Sequence, residues 1–327
     1  MTASTPETDP SEHEVVVVGG GPAGLQAALT LGRVHRDTVL VDAGQGRNAP
    51  ASHMHNLITR DGTDPEEFRR LAREELRSYP TVQVREGRVT SLRPAAGTAG
   101  EGGGTAYLVE LEGGGTAYLV ELEDGTRLRT KGVILATGVR DELPDVPGLE
   151  ELWGDLVAQC PFCHGHEFAG GRVAILGVEP ATHLSGILRP VAAEIVVLTH
   201  GEEPPEDLPS FVPTVRTERV TGVARAGDGL EVQLASGPPV RVDGLFAPTT
   251  MHQAAPFAEQ LGLGLNESGC TRVDESCRTS LPRVYAAGDM AHVEAIPLPM
   301  TSVAQAIASG MMAGATAVKE LVEDEIG

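Results

Sequence analysis

The sequence contains no hydrophobic run long enough to cross a membrane. No stretch of its 327 residues approaches the roughly 18 consecutive apolar residues that a membrane-spanning helix requires. Residues 1–14 are polar and acidic, without the basic start and apolar centre of a secretory signal peptide. We therefore expect no membrane partner, a cytoplasmic location, and a disordered leader over residues 1–13.

Positive charge is scarce as well. The chain has 25 Lys and Arg against 46 Asp and Glu, which gives a formal net charge of −21. A field of that sign repels the phosphates of nucleic acids and of anionic membrane surfaces. We expect no nucleic-acid partner and interpret the charge as a solubilising surface.

Cysteine is limited to four residues, and structural disulfides are rare in cytoplasmic proteins. Cys160 and Cys163 form a Cys-x-x-Cys pair, which indicates either redox catalysis or metal binding. A zinc site built from all four cysteines is an alternative, but Cys270 and Cys277 lack the spacing of a zinc knuckle. We interpret the second pair as small side chains without chemistry and expect no metal.

The sequence does contain two stretches with the strand–loop–helix order of a dinucleotide-binding fold. The first starts with the β-branched run Val15–Val18, passes through a glycine-rich loop, and closes with the strand Thr38–Val41 and Asp42. The second starts with the apolar run Arg172–Leu176. The first type of pattern returns near Val284 and ends in an Ala- and Met-rich helix. This order predicts an α/β fold of two Rossmann-like domains, the second inserted into the first.

Composition indicates where the two domains meet. Proline and glycine cluster in Leu143–Gly148, which is typical of a crossing between domains. We therefore predict a discontinuous first domain over residues 14–147 and 278–327. The second domain is predicted over residues 148–277.

A tandem repeat fills residues 101–122. Each copy has the sequence Glu-Gly-Gly-Gly-Thr-Ala-Tyr-Leu-Val-Glu-Leu, which predicts a glycine turn followed by a strand with alternating faces. The pair predicts a β-hairpin lengthened by duplication, since two copies are too few for a solenoid.

The glycine loop of the first stretch has the spacing that dinucleotide binding requires. In Gly19-x-Gly21-x-x-Gly24, the first glycine allows a tight turn, the second lets the backbone approach a pyrophosphate, and the third lets helix and strand pack closely. The helix that follows directs its partial positive charge at the phosphates. Asp42, at the end of the next strand, can accept hydrogen bonds from a ribose. Together these features predict a dinucleotide site in the first domain.

Four motifs stand in the order and spacing of one known family: Gly19–Gly24, Ala136-Thr137-Gly138, Cys160-x-x-Cys163 and Ala286-Ala287-Gly288-Asp289. By these motifs the chain resembles the low-molecular-weight thioredoxin reductase family over almost its whole length. The resemblance implies FAD as the cofactor and a homodimer. It implies that the cofactor is held by residues of the first domain, namely Gly19, Gly21, Pro22, Ala23, Gly24, Asp42, Val84, Ala136, Thr137, Gly138, Gly288, Asp289, Ser302 and Val303.

Three of these assignments carry specific roles by resemblance. Asp289 is expected to contact the ribityl chain and the pyrophosphate, and the backbone of Val84 to meet the adenine. The backbone of Ser302 and Val303 is expected to face the isoalloxazine ring. That last match is looser, because the Arg-Gln-Ala of the family is absent there.

The Cys-x-x-Cys segment supplies redox chemistry. Two thiols separated by two residues can close a disulfide and exchange with another dithiol, and the attacking group must be a thiolate. His164 and His166 follow directly, and either can supply positive charge or carry the proton. By resemblance, Cys163 lies against the flavin and Cys160 meets the substrate. The acid that the family has after the second cysteine is replaced here by His164.

A second pair of histidines stands earlier in the chain. His53 and His55 match a loop that passes near the flavin in the family. Either is a second candidate base. The alternative is that both are polar loop residues without a role in proton transfer.

The corresponding loop of the second stretch lacks the glycine that would let the backbone approach a pyrophosphate. Its sequence is Gly177-Val178-Glu179-Pro180. Glu179 places a negative charge where a pyrophosphate should lie, and one like-charge pair roughly 4 Å apart costs about 4 kcal/mol near a protein surface. Pro180 removes a backbone donor, and the stretch Thr199–Glu203 offers carboxylates instead of arginines for the 2′-phosphate of NADPH. We expect this domain to keep the fold and to lack a working nicotinamide site.

A flavin and a redox disulfide without a nicotinamide donor predict that a dithiol supplies the electrons. A substrate dithiol reduces the Cys160–Cys163 disulfide, and the electrons pass through FAD to O2, which gives hydrogen peroxide. The segment Cys160–Glu167 resembles that of the dithiol oxidases that close disulfides in natural products such as gliotoxin and holomycin. The hypothesis is therefore an FAD-dependent dithiol oxidase with a small-molecule dithiol as its substrate.

Two alternatives stay open. The first is a thioredoxin-disulfide reductase that uses NAD(P)H or a ferredoxin as the electron donor. The second is a non-catalytic FAD-binding redox sensor. A small apolar pocket beside Cys160 favours the oxidase, whereas a broad exposed face there favours a protein substrate.

Overall fold

A computed structural model describes residues 10–95, 117–204, 206, 208–212 and 214–327. Its contacts divide the chain into two compact units. Unit 1 comprises Met1–Arg47, Glu66–Arg140 and His252–Gly327, and unit 2 comprises Asn48–Pro65 and Asp141–Met251. The units divide after Arg140 and Met251, whereas the sequence predicted domain boundaries at residues 147 and 278. No sequence feature indicated that Asn48–Pro65 packs with unit 2.

The secondary structure follows the predicted alternation of strands and helices. The strands are β1 Ser11–Val18, β2 Thr38–Asp42, β3 Val82–Glu86, β4 Val89–Pro94, β5 Tyr118–Leu122, β6 Arg127–Leu135, β7 Val139–Glu142, β8 Val157–Ala158, β9 Arg172–Leu176, β10 Glu194–Leu198, β11 Thr214–Arg216, β12 Val220–Ala226, β13 Gly229–Leu234, β14 Val240–Val242, β15 Gly244–Phe246, β16 Thr250–Gln253, β17 Thr271–Val273, β18 Val284–Ala286 and β19 Ala291–Val293. The helices are α1 Pro22–Arg33, α2 Pro65–Leu76, α3 Leu149–Leu152, α4 Pro161–His164, α5 Ala181–Leu188, α6 Phe257–Gln260 and α7 Val303–Ile326, with a 3-10 turn at His166–Phe168. Within the described ranges, no helix has the length and apolar composition that crossing a bilayer needs.

Unit 1 is built on a seven-stranded sheet with the order β3-β2-β1-β6-β5-β4, and β18 also pairs with β6. β1 runs parallel to β2 and β6, and β18 runs parallel to β6. Val15, Val16 and Val17 are fully buried, as expected of a central parallel strand that is covered on both faces. The carboxyl ends of these parallel strands meet at one edge, which is where open α/β sheets bind ligands.

Unit 2 has a parallel sheet of its own, with the order β11-β10-β9-β15-β8, and a small antiparallel sheet of β12, β13 and β14. Its core is separate from that of unit 1 and is formed by the buried side chains of β9, β10 and β15 with those of the antiparallel sheet. The predicted fold class, an α/β protein with two Rossmann-type units, is therefore confirmed.

The disordered leader predicted over residues 1–13 is wrong at its carboxyl end. Ser11, Glu12 and His13 are the first residues of β1, where they pair with residues 128–130 of β6. His13 also lies 2.9 Å from Asp37. The long strand β6 thus provides a pairing edge that hydrophobic patterning alone did not reveal. Residues 1–9 lie outside the described residues.

The tandem repeat contributes one described strand, β5, from its second copy. Both edges of β5 are occupied, by β4 on one side and β6 on the other. The predicted hairpin between the two copies is therefore not the pairing that β5 makes. The first copy lies outside the described residues.

Candidate functional site

The glycine loop between β1 and α1 has the geometry of a dinucleotide-binding loop. Gly19 has φ +112°, and a Cβ there would lie 2.3 Å from the carbonyl oxygen of Ala136. A Cβ on Gly24 would lie 1.8 Å from the carbonyl oxygen of Gly19. At Gly21, by contrast, no described atom lies within 4 Å of the Cβ position. Packing therefore requires glycine at 19 and 24, whereas Gly21 leaves open space beside the loop.

The amino end of α1 has the features of an anion-binding helix terminus. Among the described residues, no side chain caps this helix, and its first turn contains no acidic residue. Pro22 occupies the first helical position, where its missing N–H is not needed. The partial positive charge of this helix end faces the space beside Gly21, and no acidic side chain in the first turn neutralises it.

Asp42 ends β2 in a buried position. It is 7% exposed, accepts a hydrogen bond of 2.9 Å from Gly44 N, and also pairs with the guanidinium of Arg73 on α2. A Cβ on Gly20 would lie 2.2 Å from the carboxyl carbon of Asp42, so the carboxylate packs directly over the loop. Sequence reasoning found Asp42 but missed Gly20 and Arg73, because both matter only through their tertiary contact with it.

The other predicted cofactor residues are distributed around the same strand ends. The stretch from Ala136 to Gly138 follows β6, and Thr137 donates a hydrogen bond to Met290 Sδ at 3.3 Å. Gly288 and Asp289 follow β18, the parallel neighbour of β6. Unit 1 thus gathers these residues and the glycine loop at the carboxyl edge of one sheet.

The remaining residues predicted to contact FAD lie outside these strand ends. Val84 lies in β3 at the end of the sheet order and is 36% exposed. Ser302 caps α7, because its Oγ accepts a hydrogen bond of 3.1 Å from Gln305 N. Val303 is the first residue of that helix. The open loop, the uncompensated helix end and the buried acid together fit the adenosine and pyrophosphate of FAD.

The Cys-x-x-Cys segment belongs to unit 2. Cys160 immediately precedes α4 and Cys163 lies within it; both are partly buried. The N–H groups of Cys163 and His164 donate to Cys160 O at 3.1 and 3.2 Å. Phe162 between the cysteines is 65% exposed. The short helix therefore holds the two cysteines at a fixed separation and presents an aromatic ring to solvent.

His164 has a defined orientation. Its Nε2 lies 3.2 Å from the carbonyl oxygen of Gly154. A carbonyl can only accept, so Nε2 carries the hydrogen in the neutral ring and Nδ1 is left with the basic lone pair. His166, the other candidate, is exposed on the 3-10 turn. The structure therefore distinguishes two histidines that the sequence left equivalent.

A cleft of about 640 Å³ lies next to this segment, and all of its lining residues belong to unit 2. It is lined by Ser52, His53, His55, Gly154, Asp155, Leu156, His164, Glu167, Phe168, Ala169, Gly170, Gly171, Asp228 and Asp243. Its volume is within the usual range for small-molecule sites. The lining is mostly polar, and neither cysteine contributes to it, so it differs from the small apolar pocket that would favour an oxidase.

His55 connects the loop of residues 48–65 to the redox segment. Its Nε2 lies 3.4 Å from Glu167 Oε1 and its Nδ1 lies 3.6 Å from Asp61 Oδ2. The same loop approaches Gly154, where a Cβ would lie only 2.8 Å from the carbonyl carbon of Pro50. Gly154 thus supports His164 from one side and contacts this loop on the other. No sequence spacing could have revealed Gly154, because its role depends on three segments that meet only in the fold.

The loop between β9 and α5 keeps a strand-to-helix turn and contains an acidic residue. Gly177 has φ +92° and Glu179 is exposed. Pro180 takes the cap position of α5 without a side-chain hydrogen bond. On the neighbouring strand β11, Arg216 is already bound by both oxygens of Glu218, with Nη2–Oε1 at 2.6 Å and Nε–Oε2 at 3.0 Å. Arg216, which pairs with Leu198 at the end of β10, is therefore engaged by a carboxylate.

Cys270 and Cys277 lie in unit 1 and are buried. Burial raises the pKa of the Cys270 thiol and raises the pKa of the Cys277 thiol to about 11. Both therefore stay protonated and unreactive near neutral pH. In the part of the chain that the structure describes, no three His, Cys, Asp or Glu side chains are grouped as a metal site.

Comparison with known proteins agrees with this geometry. Residues 13–313 match the family described as pyridine nucleotide-disulphide oxidoreductase. The chain is 32% identical over 328 residues to a protein named thioredoxin reductase sirT from Leptosphaeria maculans, a match that covers 94% of each protein.

Among the solved structures that are similar to this chain, two match it over almost its whole length. An oxidoreductase from Agrobacterium tumefaciens has a TM-score of 0.81 and 33% identity, over 95% of this chain and 99% of that one. The structure of HlmI has a TM-score of 0.82 and 30% identity, over 96% of this chain and 94% of that one. Because the family matches almost the entire chain, the protein belongs to the pyridine nucleotide-disulphide oxidoreductases, as a thioredoxin reductase-like flavoenzyme that binds FAD and acts on dithiol or disulfide groups.

Proposed function

We propose that the protein is an FAD-dependent dithiol oxidase that forms a disulfide in a small natural-product dithiol. The substrate loses two electrons and two protons as its thiols join in an S–S bond, and O2 gains both to give hydrogen peroxide. The observation that carries the proposal is the loop between β9 and α5, where Glu179 stands at the position that Gly21 has in the first loop. A dithiol is then the available source of electrons for Cys160 and Cys163.

The two cysteines carry the exchange steps. A substrate thiolate attacks Cys160 Sγ, which breaks the Cys160–Cys163 bond and forms a mixed disulfide. The second substrate thiolate then attacks the substrate sulfur of that mixed disulfide, which closes the product and releases Cys160. Phe162, which is exposed between the two, offers an apolar contact to the substrate. Bound FAD supplies the two-electron carrier between the reduced cysteine pair and O2.

His164 is the residue we assign to proton transfer. Its Nε2 is tied to Gly154 O, so Nδ1 is the atom that accepts a thiol proton. His55 and Glu167, which lie 3.4 Å apart, hold the loop of residues 48–65 against the same segment. The thiolate that starts each exchange then forms without a strong external base.

Replacing His164 with glutamine tests this assignment. The amide of Gln can donate to Gly154 O as Nε2 does, but it offers no base. We expect the rate of flavin reduction by dithiothreitol to fall by about 10²- to 10⁴-fold in anaerobic stopped-flow measurements, with FAD content unchanged. His183→Gln, which changes an exposed histidine of α5, is the matched control. A rate for His164→Gln equal to that of the control would exclude His164 as the base.

The direction of electron flow is tested by anaerobic titration of the purified yellow protein. We expect a small dithiol to bleach the visible flavin absorbance rapidly, and admission of air to restore it with one hydrogen peroxide per dithiol. NADPH and NADH should bleach it only slowly, because the carboxylate of Glu179 disfavours pyrophosphate binding. Rapid bleaching by either nucleotide would reject the oxidase proposal.

A reductase is the second candidate, since the relative sirT bears the name thioredoxin reductase. In that case electrons would run from a nicotinamide or ferredoxin donor to the Cys160–Cys163 disulfide. The same titration would show a nicotinamide donor as rapid bleaching by NADPH or NADH, and a parallel titration with reduced ferredoxin would show the other. The resemblance also predicts a homodimer. Size-exclusion chromatography with light scattering checks the oligomeric state.

A further inference from the structure

An ion pair in unit 1 joins two segments that are far apart in the chain. Arg47 Nη1 lies 2.9 Å from Asp289 Oδ2, and each side chain is 20% exposed. Arg47 belongs to the loop after β2, whereas Asp289 follows β18. Partly buried pairs of this kind are screened by salt much less than exposed ones, so the pair is a durable feature of the site.

The turn that carries Asp289 packs against α1. Gly288 has φ +78°, and a Cβ there would lie 3.0 Å from the Cβ of Ala23 in the first turn of α1. Gly288 N also donates to Ser309 Oγ on α7 at 3.0 Å. The Gly288–Asp289 turn is thus fixed beside the helix end that the pyrophosphate of FAD is expected to meet.

A carboxylate in this position creates an electrostatic conflict. The two negative charges of a diphosphate repel an ionised Asp289, and the net charge of −21 adds to the repulsion. A guanidinium stays charged at any accessible pH. With Arg47 at 2.9 Å, Asp289 keeps its oxygens as hydrogen-bond acceptors while its charge is offset locally.

We propose that Arg47 is a positioning residue for FAD that acts through Asp289. It holds the carboxylate in place and offsets its charge, so that the diphosphate can lie at the amino end of α1. Arg73 stands in the same relation to Asp42, so both acids of the site have an arginine partner. The inference depends on FAD binding and is independent of the direction of electron flow.

The test measures FAD affinity of apoprotein by quenching of flavin fluorescence, with no dithiol present. We expect Arg47→Gln to raise the Kd for FAD by about 10- to 100-fold. Arg47→Lys restores the charge and should recover most of that loss. The double variant Arg47→Gln/Asp289→Asn also removes the carboxylate charge that Arg47 offsets, and we expect it to bind FAD at least about fivefold more tightly than Arg47→Gln alone.

Arg93→Gln is the matched control. Arg93 lies 3.5 Å from Glu121 in an ion pair of the same unit, so the charge change is identical, and its Kd should stay within about twofold of wild type. Apoprotein melting temperatures separate a structural role from a positioning role. A structural ion pair predicts a lower melting temperature of the apoprotein, whereas a positioning residue lowers mainly the stabilisation that added FAD provides.

Two outcomes would overturn the proposal. A wild-type Kd for Arg47→Gln would mean that the ion pair does not serve the cofactor. A double variant as weak as Arg47→Gln would mean that the arginine does not act through Asp289. If Arg47→Gln does not fold, the comparison of Arg47→Lys with Asp289→Asn and the double variant decides the same question.

Discussion

Replacing Cys163 with serine should abolish turnover of a dithiol while FAD stays bound. A hydroxyl cannot form the disulfide with Cys160, so the exchange that transfers two electrons has no acceptor. Because a nucleophilic pair acts as one unit, either single replacement should lower the steady-state rate by about 10³-fold or more. The residues that we assign to FAD lie in unit 1 and the cysteines lie in unit 2, so flavin content should equal that of wild type. Oxygen consumption with dithiothreitol measures the rate.

The two serine variants also separate the roles of the cysteines. Cystamine exchanges with an accessible thiolate, which gains one cysteamine in a mixed disulfide and releases the other as a thiol. If Cys160 is the outer thiol, Cys163→Ser should be modified rapidly and Cys160→Ser slowly, as followed by intact-protein mass spectrometry. If Cys160→Ser were modified faster than Cys163→Ser, Cys163 would be the outer thiol and Cys160 the thiol next to the flavin.

Cys277→Ser is the control for both experiments. Cys277 is buried, its thiol has a pKa of about 11, and its Sγ donates to Ser309 O at 3.5 Å, a bond that a hydroxyl can keep. We expect its turnover to stay within about threefold of wild type. Loss of turnover in this variant as well would point to a general defect of folding and not to the redox pair.

The features that the sequence predicted well are those encoded by short segments. The valine run of β1, the glycine spacing through Gly24 and the acid at Asp42 lie within one β-α-β unit, so local pattern and tertiary site coincide. The fold class followed from the repetition of that pattern at Arg172–Leu176. The family follows from the order of the same motifs.

The features that the sequence missed depend on contacts between distant segments. Arg73 approaches Asp42 from α2, and Gly154 orients His164 across a turn. The loop of residues 48–65 packs with unit 2 although it is flanked by segments of unit 1. None of these contacts has a characteristic spacing in the chain, because each is produced by packing of whole elements.

Replacing Gly24 with alanine should destabilise the fold around the cofactor site and thereby abolish FAD binding. The new methyl group would lie 1.8 Å from the carbonyl oxygen of Gly19, which is backbone and has no flexible end that could move away. Relief requires α1 to shift from β1, at a loss of about 3 kcal/mol or more in the free energy of unfolding. We expect a lower melting temperature for the apoprotein and loss of FAD together, measured by calorimetry and by flavin absorbance.

Gly21→Ala should separate these two effects. The backbone at Gly21, with φ −75° and ψ 179°, suits alanine, and no described atom lies within 4 Å of the added Cβ. The apoprotein should therefore melt like wild type, while the methyl group occupies the space that a pyrophosphate needs and raises the Kd for FAD by about 100-fold, or ~2.7 kcal/mol. Gly186→Ala in α5 also meets open space and should change neither FAD affinity nor fold. A wild-type Kd for Gly21→Ala would place the pyrophosphate elsewhere, and a wild-type melting temperature for Gly24→Ala would contradict the packing of α1 on this loop.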